Sequence, residues 1–344
     1  MLEVSGLTVE YAATGNAGGG NPVRAVDDVS LDVKPGEFVG IVGESGCGKS
    51  TLLFAIARLL SPPAVVTAGS VTFRGENLVS MTERRLNAIR WQNLSVVMQS
   101  AMNALNPVMS VGAQFADALR AHGTSSRKAV AARSAEVLRL VGIDAVHLGS
   151  YPHQLSGGMR QRAMIAMALL FTPDLVIMDE PTSALDVVAQ RSLMTQIKEL
   201  QRELGFAVIF VTHDMSLVSH YSDRLVVMYA GQVAEAGLTR RIFDRPLHPY
   251  SRGLLEAFPS IRGAKVHLSG IPGAPPDLSV IQNGCRFSPR CPAKLPACET
   301  TAPALLDREG TSVRCLLYDP APAPATAASL SLTRPRQSRR RRND

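Results

Sequence analysis

Eight consecutive residues, Gly43-Glu44-Ser45-Gly46-Cys47-Gly48-Lys49-Ser50, fit the pattern G-x-x-x-x-G-K-[ST], with an apolar strand before them and an apolar helical stretch after. Glycines at this spacing let the backbone curl, so that successive N–H groups and a helix N-terminus face an anion. Gly43, Ser45, Gly46, Cys47 and Gly48 therefore form a phosphate cradle, in which Cys47 reads as a small packed residue. Lys49 is expected to reach the β- and γ-phosphates, Ser50 to bind Mg²⁺ through its hydroxyl, and Thr51 to assist at the α-phosphate. Such a site also needs a carboxylate at the end of a neighbouring buried strand. Leu175-Val176-Ile177-Met178-Asp179-Glu180 supplies two: Asp179 suits the metal, and Glu180 is placed to polarise an attacking water.

These motifs imply a nucleotide-hydrolysing protein and do not separate ATPases from GTPases. The discriminating segment is Leu155-Ser156-Gly157-Gly158-Met159, ahead of a helix rich in Arg and Ala. It resembles the LSGGQ signature of ABC ATPases. LSGGMRQR, with Met in the last signature position, is similar to the form found in ATP-binding subunits of oligopeptide and dipeptide permeases. Chemically the segment is a second anion site, with Ser156 and the N–H groups of Gly157 and Gly158 at a helix N-terminus. In the family that phosphate belongs to ATP on the partner subunit, so the resemblance implies a shared active site. It also implies roles for further residues. Gln99, ending LSVVMQ, resembles the loop glutamine that touches Mg²⁺ and water, and His213, ending VIFVTHD, resembles the switch histidine. Ser183-Ala184-Leu185-Asp186 resembles the loop through which two ATPase subunits communicate, and Tyr11 is the candidate for stacking on adenine.

The elements that must position these residues are legible as periodicities. LEVSGLTVEY and VRAVDDVSLDV alternate as strands, EFVGIVG reads as a buried strand, and the Gly/Ala/Asn stretch Ala12 to Asn21 reads as an exposed loop. A helix is expected from the glycine-rich turn through LLFAIARLL to the Pro62-Pro63 stop. From about Gln99 to Phe171 the spacing is helical. Strands return at DLVIMDE and FAVIFVTHD, separated by the helical AQRSLMTQIKELQRELG, which implies a wound, mainly parallel sheet. The expected class is α/β: a P-loop NTPase (RecA-like) core with an antiparallel β subdomain and a helical signature subdomain, plus a small Cys-containing C-terminal extension. The expected boundaries are 1–260 for the ATPase, with its helical part at about 99–171, then 261–320 for the extension and 321–344 for a disordered basic tail.

The longest apolar run, Ala163 to Met178, is broken by Pro173 and Asp174 before the roughly 20 residues that a bilayer requires. The N-terminus lacks the basic-then-apolar run of a secretory signal, so a cytoplasmic chain with reduced thiols is expected. Much of the net charge of +7 comes from Arg334, Arg336 and Arg339 to Arg342, beyond a Pro/Ala-rich stretch; this reads as a solvated tail, and no nucleic-acid partner is expected. Four of the 5 cysteines, Cys285, Cys291, Cys298 and Cys315, cluster after the composition shift. Four thiolates can hold Zn²⁺ or an iron–sulfur cluster, and the spacing alone leaves zinc, iron–sulfur and metal-free thiols open. HPYSRGLLEAFP, GIPGAPPDL and CRFSPRC resemble the C-terminal extension of peptide-permease ATPases, which favours [4Fe–4S].

Taken whole, the resemblance implies an ATPase that binds ATP and Mg²⁺ and powers an importer of di- or oligopeptides at the cytoplasmic face of a bacterial inner membrane. Its expected partners are two transmembrane permease subunits, a second and non-identical ATP-binding subunit, and, indirectly, an extracytoplasmic solute-binding protein. A non-transport ABC ATPase acting on DNA or the ribosome is the competing class. The absence of a sustained heptad insertion and the single cassette per chain argue against it.

Overall fold

The computed structural model describes residues 1–12, 22–99, 104–183, 185–257, 270–280 and 282–319. Most of the expected 12–21 loop, Ala184, the boundary near residue 260 and the Arg-rich tail lie outside the described residues.

Two sheets organise the chain. The smaller has four strands in the order β2-β1-β4-β5, from β1 (Leu2–Tyr11), β2 (Val23–Val33), β4 (Ala64–Phe73) and β5 (Glu76–Asn77). Its pairings are antiparallel, as expected for the β subdomain. The larger contains β3 (Phe38–Val42), β6 (Leu94–Val97), β7 (Leu175–Asp179), β8 (Ala207–Val211), β9 (Arg224–Tyr229), β10 (Gln232–Leu238), β11 (Leu306–Arg308) and β12 (Thr311–Val313). Its order is β11-β12-β10-β9-β3-β8-β7-β6, parallel from β9 through β6 and antiparallel at the other edge.

Every residue of β3, β7 and β8 is buried, which is why these strands read as continuous apolar runs. Alternation still sorts their side chains. Phe38, Val176, Met178, Val208 and Phe210 face one apolar cluster, shared with the helices α3 (Val111–Ala121), α4 (Arg127–Leu140), α5 (Gly157–Ala168) and α6 (Val187–Leu204). Val39, Ile41, Leu175, Ile177 and Ile209 face the other, shared with α1 (Lys49–Ile56) and the small sheet. The large sheet is thus the middle layer of three, and the C-terminal ends of its parallel strands open where ligands bind in such folds.

One expected element is shorter than its sequence suggests. The helix after the glycine-rich turn ends at Ile56 and does not reach Pro62. Arg58 takes a left-handed backbone (φ 56°), and the N–H groups of Arg58 and Leu59 close back onto the carbonyls of Ala55 and Phe54. Arg58 also donates to the carbonyls of Leu78 and Val79, so tertiary contacts hold a stop that propensity does not predict. Among the described residues no helix is long and apolar enough to cross a membrane.

Candidate active site

The phosphate loop runs from the end of β3 into α1, with Gly48 as the residue that caps the helix. Its backbone is left-handed (φ 99°), and a Cβ there would collide with the Ala25 carbonyl oxygen of the small sheet, so glycine is required twice over. The loop borders a cleft of about 570 Å³ whose walls include Tyr11, Gly43, Ser45, Gly46, Gly48, Lys49, Ser50, Thr51, Gln99, Glu180 and His213. Residues from five separated segments of the sequence therefore meet in one place.

The Lys49 ammonium donates to the carbonyls of Gly43 (2.8 Å) and Glu44 (2.9 Å). Ser50 Oγ donates to Asp179 Oδ1 at 3.1 Å. Asp179 ends β7 at 2% exposure, and burial raises its carboxyl above the ordinary range; the Ser50 hydroxyl opposes that shift, Glu180 adds to it, and Lys49 also opposes it. A hydroxyl and a carboxylate held together form the hard-oxygen pair that suits Mg²⁺. Glu180 follows with a left-handed backbone (φ 45°), an uncommon state for a non-glycine residue, and its N–H donates to the Val211 carbonyl at 3.0 Å. This turns its carboxylate into the cleft, where Oε2 accepts from Gln99 Nε2 at 2.8 Å and Oε1 lies 3.4 Å from His213 Nδ1. Tyr11 lines the cleft and sits 3.2 Å from Thr51 Oγ1 through its hydroxyl. Cys47 does not line the cleft. Its thiol is buried 3.7 Å from Lys49 Nζ, and burial pushes its pKa up.

Ser156, Gly157, Gly158 and Asp186 are also not among the cleft walls. Ser156 is exposed and caps α5 by accepting from the Met159 N–H at 3.3 Å. Asp186 caps α6 in the same way, accepting from the Ala189 N–H at 2.8 Å. Three more wall residues carry no motif in the sequence. Val23 and Ala25 come from β2, and Leu278 comes from the C-terminal segment, where only its place after a proline-rich run could have drawn notice.

The cysteine expectation requires correction. Cys285, Cys291, Cys298 and Cys315 are free thiols gathered in one corner, with the Cys285 N–H donating to the Cys298 carbonyl at 2.8 Å. However, among the described residues no group of three or more His, Cys, Asp or Glu side chains is arranged to hold a metal ion. Burial raises Cys285 and Cys291 above the ordinary thiol value and pushes Cys315 up to about 11. As folded, the described side chains do not support the [4Fe–4S] cluster that the resemblance favours, nor the zinc alternative.

A phosphate loop, a strand-end carboxylate pair and a separate Ser-Gly-Gly helix cap on a three-layer α/β frame define an ATPase of the ABC class. Within that class the chain belongs to the family of ATP-binding proteins of oligopeptide and dipeptide ABC transporters. The ABC transporter family profile matches residues 26–183, and the profile of the oligopeptide/dipeptide transporter C-terminal region matches 234–298. The dipeptide transport ATP-binding protein DppD of Bacillus subtilis is 42% identical over 93% of this chain and 95% of its own. The oligopeptide transport ATP-binding protein OppD of Salmonella typhimurium is 42% identical over 88% and 89%. Among solved structures, the ATP-binding cassette MJ0796 in a dimeric post-hydrolysis state, bound to ADP and Pi, is similar with a TM-score of 0.61 and 30% identity, covering 70% of this chain and 99% of that one.

Proposed function

We propose that this chain drives uptake of di- or oligopeptides by hydrolysing ATP at the cytoplasmic face of a bacterial inner membrane, peripherally attached to two transmembrane permease subunits. A second ATP-binding subunit, non-identical in this reading, completes the motor, and a solute-binding protein delivers the cargo. The names of the relatives support the cargo class, and the C-terminal match over 234–298 supports the peptide branch. The proposed units are an ATPase of 1–260, with helical residues about 99–171, an extension of 261–320 and a tail of 321–344.

One observation carries the mechanism: Lys49, Ser50, Gln99, Glu180 and His213 share a cleft that Ser156 to Gly158 do not enter. Each chain thus offers half of two sites. Lys49 exchanges the carbonyls of Gly43 and Glu44 for phosphate oxygens, Thr51 assists at the α-phosphate, and Tyr11 meets the adenine. Ser50 and Asp179, with Gln99, hold Mg²⁺, which neutralises charge on the β- and γ-phosphates when bound. Glu180 takes hydrogen-bonding charge of the attacking water, while Gln99 and His213 fix its carboxylate. Ser156, Gly157 and Gly158 cap the γ-phosphate held by the opposing subunit, and Asp186 lies on the loop through which the two subunits communicate. Closure on ATP and opening after hydrolysis then drive the permease between states.

The test is Glu180→Gln in the assembled transporter, with ATP turnover and ATP-induced closure read separately. The expected result is a fall of at least about a hundredfold in turnover attributable to this subunit, with closure retained. Turnover at the wild-type rate would remove Glu180 from the role given to it.

A further inference from the structure

Three contacts fasten the second residue of the phosphate loop, two of them from outside the nucleotide cleft. Glu44 places its carboxylate against the guanidinium of Arg290 in a two-pronged pair, Nη1 to Oε2 at 2.7 Å and Nη2 to Oε1 at 2.9 Å. The Glu44 N–H donates to the Tyr250 hydroxyl at 2.9 Å. The Glu44 carbonyl accepts from Lys49 Nζ. Neither anchor belongs to the ATPase motifs, and both come from the C-terminal part of the chain.

The anchors are themselves rigid. The Arg290 side chain is 5% exposed, donates through Nε to the Pro272 carbonyl at 2.7 Å and stacks over the Tyr229 ring at 5.8 Å. Tyr250 is fully buried, lies in the first turn of α9 (Pro249–Glu256) and packs against Tyr229 and Phe287 at ring separations of 4.6 and 5.5 Å. A planar fork on a carboxylate fixes direction as well as distance. Such an arrangement exceeds what attachment of the segment alone requires, because it terminates on Glu44, one of the two loop residues whose carbonyls hold the phosphate-seeking ammonium. The same C-terminal segment also supplies Leu278 to the cleft wall.

We propose that Arg290 and Tyr250 are positioning residues for ATP binding, which hold Glu44 so that the phosphate loop keeps its shape when Lys49 leaves the loop carbonyls for phosphate. The proposal rests on the reading of Lys49 as a phosphate ligand. The C-terminal extension thereby sets the nucleotide affinity of the core, and by linkage bound nucleotide tightens the extension. Because the held loop serves ground state and transition state alike, its loosening raises KM with little change in kcat.

Full-length Glu44→Gln, Tyr250→Phe and Arg290→Lys proteins test this with Mg-ATP binding, steady-state hydrolysis and the melting temperature, each read separately. Glu44→Gln and Tyr250→Phe remove one charge and one hydroxyl with no change of shape, so they remain informative if Arg290→Lys does not fold. The expected result is an affinity about three- to tenfold weaker, with kcat within about twofold of wild type and with non-additive effects in Glu44→Gln/Arg290→Lys. A merely structural link would lower the melting temperature and leave KM alone. Unchanged affinity in Glu44→Gln and Tyr250→Phe, while Lys49→Ala abolishes binding, overturns the proposal and leaves the site reading standing. Wild-type binding by Lys49→Ala would overturn both.

Discussion

Replacing His248 by asparagine should abolish an acid sensitivity that the wild-type fold carries. His248 is 4% exposed, precedes α9 and accepts the Tyr250 N–H on Nδ1 at 3.0 Å; its own N–H donates to Glu235. Burial holds the imidazole neutral and lowers its pKa from the ordinary 6.5 to about 4. The unfolded chain therefore takes up a proton below pH 6.5 that the native state refuses until about pH 4. Stability falls through that window and the loss is complete below it. At about 1.4 kcal/mol per unit, the full loss is about 3 kcal/mol. Asparagine retains an oxygen that can cap α9 in place of Nδ1, and it does not titrate. Urea unfolding of both proteins at pH 7, 6, 5 and 4, followed by far-ultraviolet circular dichroism, gives the difference directly. Buried Glu235 has a raised pKa from burial and titrates in the opposite sense, but it is common to both proteins and cancels in the difference. Parallel profiles, within about 0.5 kcal/mol from pH 7 to 4, would refute the claim that the histidine is held neutral by burial.

Ser50→Ala should remove the hydroxyl proposed to bind Mg²⁺ and leave the buried Asp179 carboxylate without its hydroxyl donor; magnesium-dependent hydrolysis is expected to fall at least about a hundredfold, while metal-free nucleotide binding changes little. Gly48→Ala should destabilise the fold by about 2 kcal/mol or more, because it meets both a left-handed φ and the Ala25 carbonyl; calorimetry on the full chain would show a lowered melting temperature. Leu278→Ala should weaken nucleotide affinity by a few-fold, since the residue lines the cleft, and should lower the melting temperature modestly, since it also packs against the larger apolar cluster; unchanged nucleotide titrations would place it outside the bound nucleotide's reach.

What the sequence disclosed follows from where the information is local. Strands β1 and β2 coincide with the alternating runs LEVSGLTVEY and VRAVDDVSLDV, because one polar–apolar alternation suffices to specify a half-buried strand. The phosphate loop, Asp179 and Glu180 were legible because each chemical role needs a residue type at a fixed offset from a strand end. The early stop of α1 was not, since it depends on Arg58 reaching the carbonyls of Leu78 and Val79, twenty residues away. The hairpin between β9 and β10 had a signal that went unread: Ala230 and Gly231 both adopt positive φ between two apolar runs, a two-residue turn of the kind that hairpins favour. Cysteine spacing shows that four thiols share a segment, yet says nothing of where their sulfurs point, and the metal-site expectation failed at that step.

The position of Glu44 shows why the ATPase motif alone describes the site incompletely. In the pattern G-x-x-x-x-G-K-[ST] this residue is an x, free of any requirement imposed by phosphate. In this chain its three polar groups are all engaged, by Arg290, Tyr250 and Lys49. The first two partners lie 246 and 206 residues further along, in the region that distinguishes this family from other ABC ATPases. A charged side chain that is largely withdrawn from water requires a well-formed partner, so Glu44 and Arg290 constrain each other, and loss of the Glu44 carboxylate leaves the buried Arg290 guanidinium without its charged partner. Tyr250 adds a neutral contact whose phenol is kept protonated by burial, so this anchor does not loosen across the physiological pH range. Sequence motifs therefore locate the reacting groups, whereas the shape of the loop that presents them depends on residues that no ATPase motif contains.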